Sequence, residues 1–279
     1  MTVMRFSNRP FLASALIAAA IGSTASAQNY DMPMDEVSSV TLLPGWMRAD
    51  GIYIGAILIE LEPGWKTYWR APGGNGIPPA FDWSQSDNLS QVGYFWPTPT
   101  IFDTFGTRTF GYESDVVLPI AVRPGTGDAM IQMDLTMDYG VCADICVPAR
   151  SEVTAVFDPG NVQNRDIIEA ALADRPATAK ESGVMEAKCG LSPAEENFVL
   201  SANVEFETAP NNPVAVVIES GSEEIWVSMP DHSVEGSAIA LEADVQYYGD
   251  GTMPFDRSDV RITMIGEAQT IEIRGCNAG

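Results

Sequence analysis

The nine residues IQMDLTMDY, from Ile131 to Tyr139, alternate apolar and polar side chains without a break. Successive side chains of a β-strand point to opposite faces, so such alternation is typical of a strand with one buried and one solvent-exposed face. The apolar side chains that would share the buried face are Ile131, Met133, Leu135, Met137 and Tyr139. This segment therefore predicts a strand at the centre of a β-fold.

Shorter segments of the same character precede and follow this strand. Turn dipeptides such as Pro63-Gly64 and Pro124-Gly125 separate them. The predicted strands of this part are Ile52–Leu61, Val116–Val122 and Val153–Phe157.

The pattern changes to helical spacing in NRDIIEAALAD, from Asn164 to Asp174, and Pro176 then ends the helix. Strand signals resume after it, at 198–206, 214–218, 225–227, 260–264 and 271–273. Many short strands with regular turns favour an all-β fold, here two immunoglobulin-like β-sandwich domains joined by a short helical linker. We expect the first sandwich over 28–160, the linker over 161–184 and the second sandwich over 185–279.

The first 27 residues have the features of a secretory signal peptide. Arg5 and Arg9 precede an apolar run from Phe11 to Ile21, and Ala25-Ser26-Ala27 forms a small-residue cleavage signal. The apolar run is shorter than the roughly 20 residues that a membrane-spanning helix needs. We therefore expect an exported, cleaved protein of the periplasm, without membrane insertion of the mature chain.

Composition excludes several classes of function. The 279 residues carry 15 Lys and Arg against 38 Asp and Glu, a formal charge of −23. Nucleic-acid binding needs clustered basic residues, so we expect no nucleic-acid partner. The single histidine, His232, argues against a Ser-His-Asp triad and excludes a multi-histidine zinc site.

Four cysteines remain as candidates for chemistry, and four cysteines allow three disulfide connectivities. Cys142 and Cys146 fall in the first predicted domain, and Cys189 and Cys276 in the second. The domain split favours pairing within each domain, although the sequence does not prove it. A bond between Cys189 and Cys276 would tie the first segment of its domain to the last, as a structural disulfide worth about 4–5 kcal/mol in the chain-entropy model.

A bond between Cys142 and Cys146 would close a ring of only five residues, worth about 2 kcal/mol in the same model. Both cysteines follow the predicted strand that ends near Tyr139, so we expect them at the rim of the sandwich. A small ring at the rim contributes little stability and is readily reduced, which favours a redox role over a structural one.

Three separated motifs, in this order, resemble the N-terminal periplasmic domain of the thiol:disulfide interchange protein DsbD. The motifs are GWKTYWRAPG from Gly64 to Gly73, GYESDVVLP from Gly111 to Pro119, and YGVCADICVP from Tyr139 to Pro148. The resemblance covers most of 40–158 and is closest to the suppressor of copper sensitivity protein B branch, which has a second sandwich.

The resemblance implies an immunoglobulin-like domain whose cysteine pair, here Cys142 and Cys146, shuttles electrons. Its implied partners are a membrane electron-transfer protein and thioredoxin-like periplasmic oxidoreductases, and it implies no cofactor. Any catalysis would be that of a thiol:disulfide oxidoreductase, in copper stress or in cytochrome and disulfide maintenance. The family shields its pair with an aromatic-tipped loop, for which Phe102 and Phe105 are the candidates here.

The neighbours of the pair indicate a weak nucleophile. Asp144 lies between the cysteines, and negative charge disfavours a thiolate. Tyr139 is a candidate hydrogen-bond partner of a sulfur, although its position on the alternating face favours the core. Trp65, Tyr68 and Trp69 are assigned to packing and turns, with lining of the cysteine rim as the alternative.

Two other functions stay open from the sequence. One is a Cu(I)-binding tolerance protein that uses the same thiols, since soft sulfur ligands suit Cu(I). Met133 and Met137 lie close by in sequence, but they share the predicted core face, so we expect no bound metal. The other is a non-catalytic interaction module with two structural disulfides.

Overall fold

The computed structural model describes residues 37–104, 106–127, 129–194 and 197–279, and the predicted signal peptide lies outside them. From Val37 onward the described chain belongs to one compact unit. Within these residues no helix is long and apolar enough to cross a membrane.

Within the described residues that precede the helix, ten strands form two sheets. Their bounds are β1 Ser38–Met47, β2 Tyr53–Leu61, β3 Lys66–Tyr68, β4 Ala80–Asp82, β5 Leu89–Tyr94, β6 Thr100–Thr104, β7 Thr107–Tyr112, β8 Val116–Pro124, β9 Ile131–Cys142 and β10 Cys146–Phe157. One sheet has the order β1-β2-β8-β5. The other has the order β10-β9-β3-β7-β6, and β4 pairs with β9 beside this path.

The alternation predicted for Ile131 to Tyr139 is confirmed in β9. Its five apolar side chains are buried in the core between the two sheets, together with large side chains such as Tyr53, Trp69 and Phe110. The polar side chains of β9 lie on the outer face of the sheet and are half-buried or exposed. Residues on the outer face thus stay free of the core.

The predicted helix is also confirmed, as α1 over Arg165–Ala173. Asn164 precedes it in a left-handed conformation, which asparagine tolerates well, and its amide donates a hydrogen bond to the Pro44 carbonyl. Ile168 is the buried residue of the helix and packs against Trp46. The helix is therefore fixed against the first sandwich by its one apolar side.

Ten further strands follow the helix. Their bounds are β11 Ala177–Thr178, β12 Val184–Pro193, β13 Phe198–Phe206, β14 Ala215–Glu219, β15 Ile225–Val227, β16 Asp231–Glu235, β17 Ala238–Tyr247, β18 Arg261–Ile265, β19 Thr270–Arg274 and β20 Asn277–Ala278. One sheet has the order β11-β19-β18-β14. The other has the order β15-β17-β13-β12-β20, with β16 on β17, and a second core lies between the two.

These four sheets and one described helix confirm the predicted all-β class with two sandwiches. The domain boundaries at 28–160, 161–184 and 185–279 stay a prediction.

An ion cluster joins the two sandwiches. Arg70, just after β3, donates hydrogen bonds to Glu219 at 2.9 and 3.1 Å and to Glu272 at 2.8 Å. It also donates to the hydroxyl of Thr263 at 3.2 Å. These three partners lie on the adjacent strands β14, β18 and β19, so one guanidinium contacts three of the four strands of one sheet of the second sandwich.

The cluster makes stability depend on pH through Glu272. Burial by itself would raise the pKa of this carboxyl, but the positive charges of Arg70, Arg274 and Arg261 outweigh burial and lower it. A carboxyl with a lowered folded pKa stabilises the fold at neutral pH. That contribution disappears as the pH falls below the ordinary value of 4.5 and through the folded pKa.

We predict that Glu272→Gln lowers the free energy of unfolding at pH 7 by roughly 1–3 kcal/mol, because it removes charged hydrogen bonds. The variant should also lose less stability than the unaltered protein between about pH 5 and pH 3. Denaturant titrations across this range measure both effects. Glu267→Gln, an exposed loop substitution, is the control, and parallel pH profiles for all three proteins would contradict the prediction.

Candidate functional site

The first cysteine pair lies at the tip of the β9–β10 hairpin. Cys142 ends β9, Cys146 begins β10, and the two residues face each other in the strand register. They form a disulfide with their Cα atoms 4.1 Å apart. The tip is closed by a hydrogen bond from the Ala143 amide to the Ile145 carbonyl. The strand pairing thus brings the two sulfurs together at one end of the sheet.

The disulfide lies on the outer face of the sheet, opposite the core. Cys142 is nevertheless only 3% exposed, because Tyr68 and Phe102 cover it in a small separate apolar cluster. Ile77 and Cys146 pack against the same cluster and are partly buried. One sulfur is therefore covered by aromatic rings, while its partner is more open to solvent.

Tyr68 makes the one side-chain hydrogen bond to this pair among the described residues. Its hydroxyl donates to Sγ of Cys146 at 3.1 Å. To reach β10, the ring crosses β9 at Gly140, where a Cβ atom would lie 2.7 Å from both the Tyr68 ring and Ile77. Burial raises the pKa of the Tyr68 phenol, so the hydroxyl keeps its proton and stays a donor.

Phe102 reaches the pair from β6 in a similar way. At Gly111 of β7, a Cβ atom would lie 3.1 Å from the Phe102 ring and closer still to the Thr67 carbonyl. The ring packs with Cys142 and Tyr68, and its role as a shield stays a prediction. The other candidate, Phe105, lies outside the described residues.

The charges around the pair are more balanced than the sequence indicates. Asp144 is exposed at the hairpin tip, as expected. Asp138 forms an ion pair with Arg150 at 2.6 Å, and this contact lowers the pKa of the Asp138 carboxyl. Lys66 lies directly opposite Cys142 on β3, so their side chains share one face of the sheet.

The ammonium group of this lysine lies 4.6 Å from the centre of the Phe102 ring and 2.6 Å from Glu113. No lysine neighbours the pair in sequence, but strand pairing brings Lys66 to Cys142 from 76 positions earlier in the chain.

Tyr139 belongs to the core and not to the sulfur site. Its hydroxyl lies 2.9 Å from that of Ser38 and 3.2 Å from that of Ser151. The sequence favoured packing and turns for Tyr68 and left the cysteine rim as the alternative, and the structure places Tyr68 at this rim. Its contact with Cys146 depends on β3 lying next to β9, and no local spacing in the sequence indicates this neighbour.

The second pair also forms a disulfide, between Cys189 of β12 and Cys276, which are 87 positions apart. Cys189 is 1% exposed and belongs to the second core. The chain end is further held by β20, which pairs in parallel with β12, and by a hydrogen bond from the Gly279 amide to the Cys189 carbonyl. Like the hairpin pair, it has one buried and one half-buried cysteine, but it joins segments that are far apart in the chain.

The methionines considered as copper ligands lie elsewhere. Met133 and Met137 are fully buried in the first core, on the face opposite the disulfide. Within the described part of the chain, no group of three or more His, Cys, Asp or Glu side chains is arranged to hold a metal ion.

Fold and site together define a class: an all-β sandwich that carries a partly shielded disulfide at a hairpin tip. Residues 48–158 match the family model of the thiol:disulfide interchange protein DsbD, N-terminal. The predicted resemblance to the DsbD N-terminal family is therefore confirmed over this part of the chain, which corresponds to the first sandwich.

Solved structures extend the likeness to the second sandwich. The N-terminal periplasmic domain of ScsB from Proteus mirabilis matches with a TM-score of 0.65 and 20% sequence identity, over 89% of this chain and 96% of that chain. At this identity the match establishes the fold, so both sandwiches are immunoglobulin-like. No curated protein sequence matches significantly.

We predict that Tyr68→Phe raises the thiol pKa of Cys146 in the reduced protein, since a donated hydrogen bond favours the thiolate. If the bond is worth about one pKa unit, Cys146 should be alkylated roughly three- to fourfold more slowly at pH 7, because the higher intrinsic reactivity offsets part of the loss. Alkylation followed by peptide mass spectrometry measures the rate. Tyr139→Phe also removes a hydroxyl, but one bonded to serines, and should leave the rate unchanged.

Proposed function

We propose that this protein is a periplasmic thiol–disulfide interchange protein that cycles Cys142 and Cys146 between dithiol and disulfide. The observation that carries the proposal is the asymmetric hairpin disulfide. One sulfur is covered by Tyr68 and Phe102, and the other accepts a hydrogen bond and is partly open to solvent. The match of residues 48–158 to the DsbD N-terminal family model supports the same chemistry.

The exposure of the two sulfurs suggests their order in the reaction. In the reduced protein, the Cys146 thiolate attacks a sulfur of a partner disulfide, forms a mixed disulfide and releases the partner's other sulfur as a thiolate. Cys142 then attacks the Cys146 sulfur, closes the internal disulfide and releases the second partner thiol. Two electrons pass to the partner, and the reverse sequence reduces this protein again.

Local groups support the role of Cys146 as the first sulfur to react. The Tyr68 hydroxyl favours a thiolate there, because it remains a protonated donor. Lys66 adds a positive charge on the same face of the sheet, although Glu113 partly neutralises it. Cys142, buried under the rings, is suited to the second, intramolecular step.

The hairpin tip is suited to contact a protein partner. Ile145, between the cysteines, is 51% exposed, and an exposed apolar side chain beside a reactive sulfur favours docking. We propose thioredoxin-like oxidoreductases as electron acceptors and a membrane electron-transfer protein as the donor. Export by the signal peptide at 1–27 would place the pair in the periplasm, where disulfides persist.

The two disulfides should respond differently to reductant. Cys142–Cys146 closes a small ring at the tip of a hairpin, whereas Cys189–Cys276 closes a long loop between segments 87 positions apart. In a graded dithiol buffer, mass-tagged thiols should appear first at the hairpin pair, at a higher reduction potential. Loss of the first bond should cost about 2 kcal/mol or less, and loss of the second about 4–5 kcal/mol.

Trapping experiments then separate a shuttle from an inert module. With a thioredoxin-like partner whose second active-site cysteine is replaced by Ser, Cys142→Ser should accumulate a mixed disulfide through Cys146, because neither protein then has a second sulfur at the site to resolve it. Cys146→Ser, whose remaining thiol is covered, should trap much less. If both bonds resist reduction alike and neither variant is trapped, the non-catalytic interaction module becomes the better description.

The shield role of Phe102 is tested by Phe102→Ala. Removal of the ring should speed alkylation of Cys142 in the reduced protein several-fold, since access limits the reaction of a covered thiol. The fold should persist, because Phe102 belongs to the small cluster around the disulfide and not to the main core. Phe81→Ala, which removes a ring packed on the main core, is the control, and equal rates in both variants would refute the shield.

A further inference from the structure

Arg70 connects the redox pair with the second sandwich through a very short segment. Tyr68, two positions earlier, contacts Cys146, while Arg70 itself binds Glu219 and Glu272. Residues two apart in an extended chain are only about 6.5–7 Å apart. Only one residue separates Arg70 from Tyr68, so we expect a displacement of Arg70 to displace Tyr68 as well.

The attachment of Arg70 to the second sandwich is extensive and well shielded. Its side chain is 10% exposed, and its guanidinium reaches three strands of one sheet through Glu219, Thr263 and Glu272. The planar fork of an arginine fixes such contacts in direction as well as in distance. The guanidinium also stacks 4.0 Å from the centre of the Trp69 ring.

The segment itself is held on both sides. Trp69 is fully buried in the first core, and its amide donates to the Phe110 carbonyl at 3.0 Å. Tyr68 pairs with Gly111 in the strand register. Arg70 thus anchors the short segment 68–70, and the position of this segment determines where the Tyr68 ring lies.

We propose that Arg70 is a positioning residue for the redox pair: by anchoring the end of β3 to the second sandwich, it holds the Tyr68 hydroxyl within reach of Cys146. The proposal rests on the proposed function, because it assigns to the second sandwich a role in setting the reactivity of that same pair. The second sandwich then tunes the chemistry without contributing a group to it.

Other charged groups near the pair are left intact by the experiment. They are Lys66 with its partner Glu113 on the neighbouring strands, Asp144 at the tip, and the Asp138–Arg150 ion pair. These groups are therefore the same in the unaltered protein and in each Arg70 variant, and a change in the titration of Cys146 is not caused by their removal.

The experiment measures the pH dependence of Cys146 alkylation in the full, reduced chain. Arg70→Gln should shift the profile to higher pH and slow alkylation at pH 7 by about twofold, in the same direction as Tyr68→Phe. When Arg70→Gln is added to Tyr68→Phe, no further change should occur, because the hydroxyl through which Arg70 acts is already absent.

Two more variants test the same proposal if Arg70→Gln folds poorly. Glu219→Gln weakens the same cluster from the second sandwich and should produce a smaller shift in the same direction. Arg70→Lys keeps the charge but loses the fork, and should restore only part of the rate. Arg165→Gln is the matched control, since Arg165 also pairs with a glutamate and stacks on a tryptophan, Trp46, and should leave the profile unchanged.

The outcomes separate three cases. If Tyr68→Phe shifts the profile but none of the Arg70 and Glu219 variants does, with only the melting temperature lowered, Arg70 is merely structural and this inference is wrong. If the effects of Arg70→Gln and Tyr68→Phe add and fade with salt, Arg70 acts by direct charge, which also overturns it. If no mixed disulfide is trapped through Cys146, the proposed function itself fails, independently of Arg70.

Discussion

The close approach of β3 to β9 is the constraint on which the site depends. Position 140 has no room for a side chain, since a Cβ atom there would overlap the Tyr68 ring and Ile77. The Thr67 hydroxyl donates to the Gly140 carbonyl at 2.9 Å and holds the two strands together at this point. This contact lets one tyrosine cross a strand and reach a sulfur on the next.

The two faces of the same sheet have separate roles. The inner side chains of β9 fill the core, and the outer face ends in Cys142, which has its own small cluster of rings. A disulfide on the outer face can open and close without exposing the core. This separation explains how one strand can serve both stability and the proposed exchange chemistry.

The second sandwich has its own means of stabilisation and is also attached to the first. Its disulfide joins β12 to the chain end, where β20 adds parallel pairing. The ion cluster around Arg70 is largely removed from solvent, and each of its two carboxylates forms ion pairs with more than one arginine. Burial of such charges is tolerated only when they are paired. The cluster therefore fixes the position of the segment after β3 against the sheet that contains β14, β18 and β19.

Local sequence patterns determined the strand from Ile131 to Tyr139, the helix that begins at Arg165 and the all-β class, because period and turn residues act over short distances. The assignment of cysteines to each half also predicted both pairs. The alternation also predicted that Tyr139 lies in the core rather than beside the sulfurs. An odd number of positions separates Tyr139 from Cys142, which places their side chains on opposite faces of the strand.

Only the tertiary structure decided that Tyr68 contacts Cys146, that Lys66 faces Cys142 and that Arg70 binds the second sandwich. Each of these contacts joins residues more than 70 positions apart. Spacing along the chain fixes which face of a strand a side chain occupies. Which strand becomes its neighbour is decided by long-range pairing and by the glycines that allow two strands to approach.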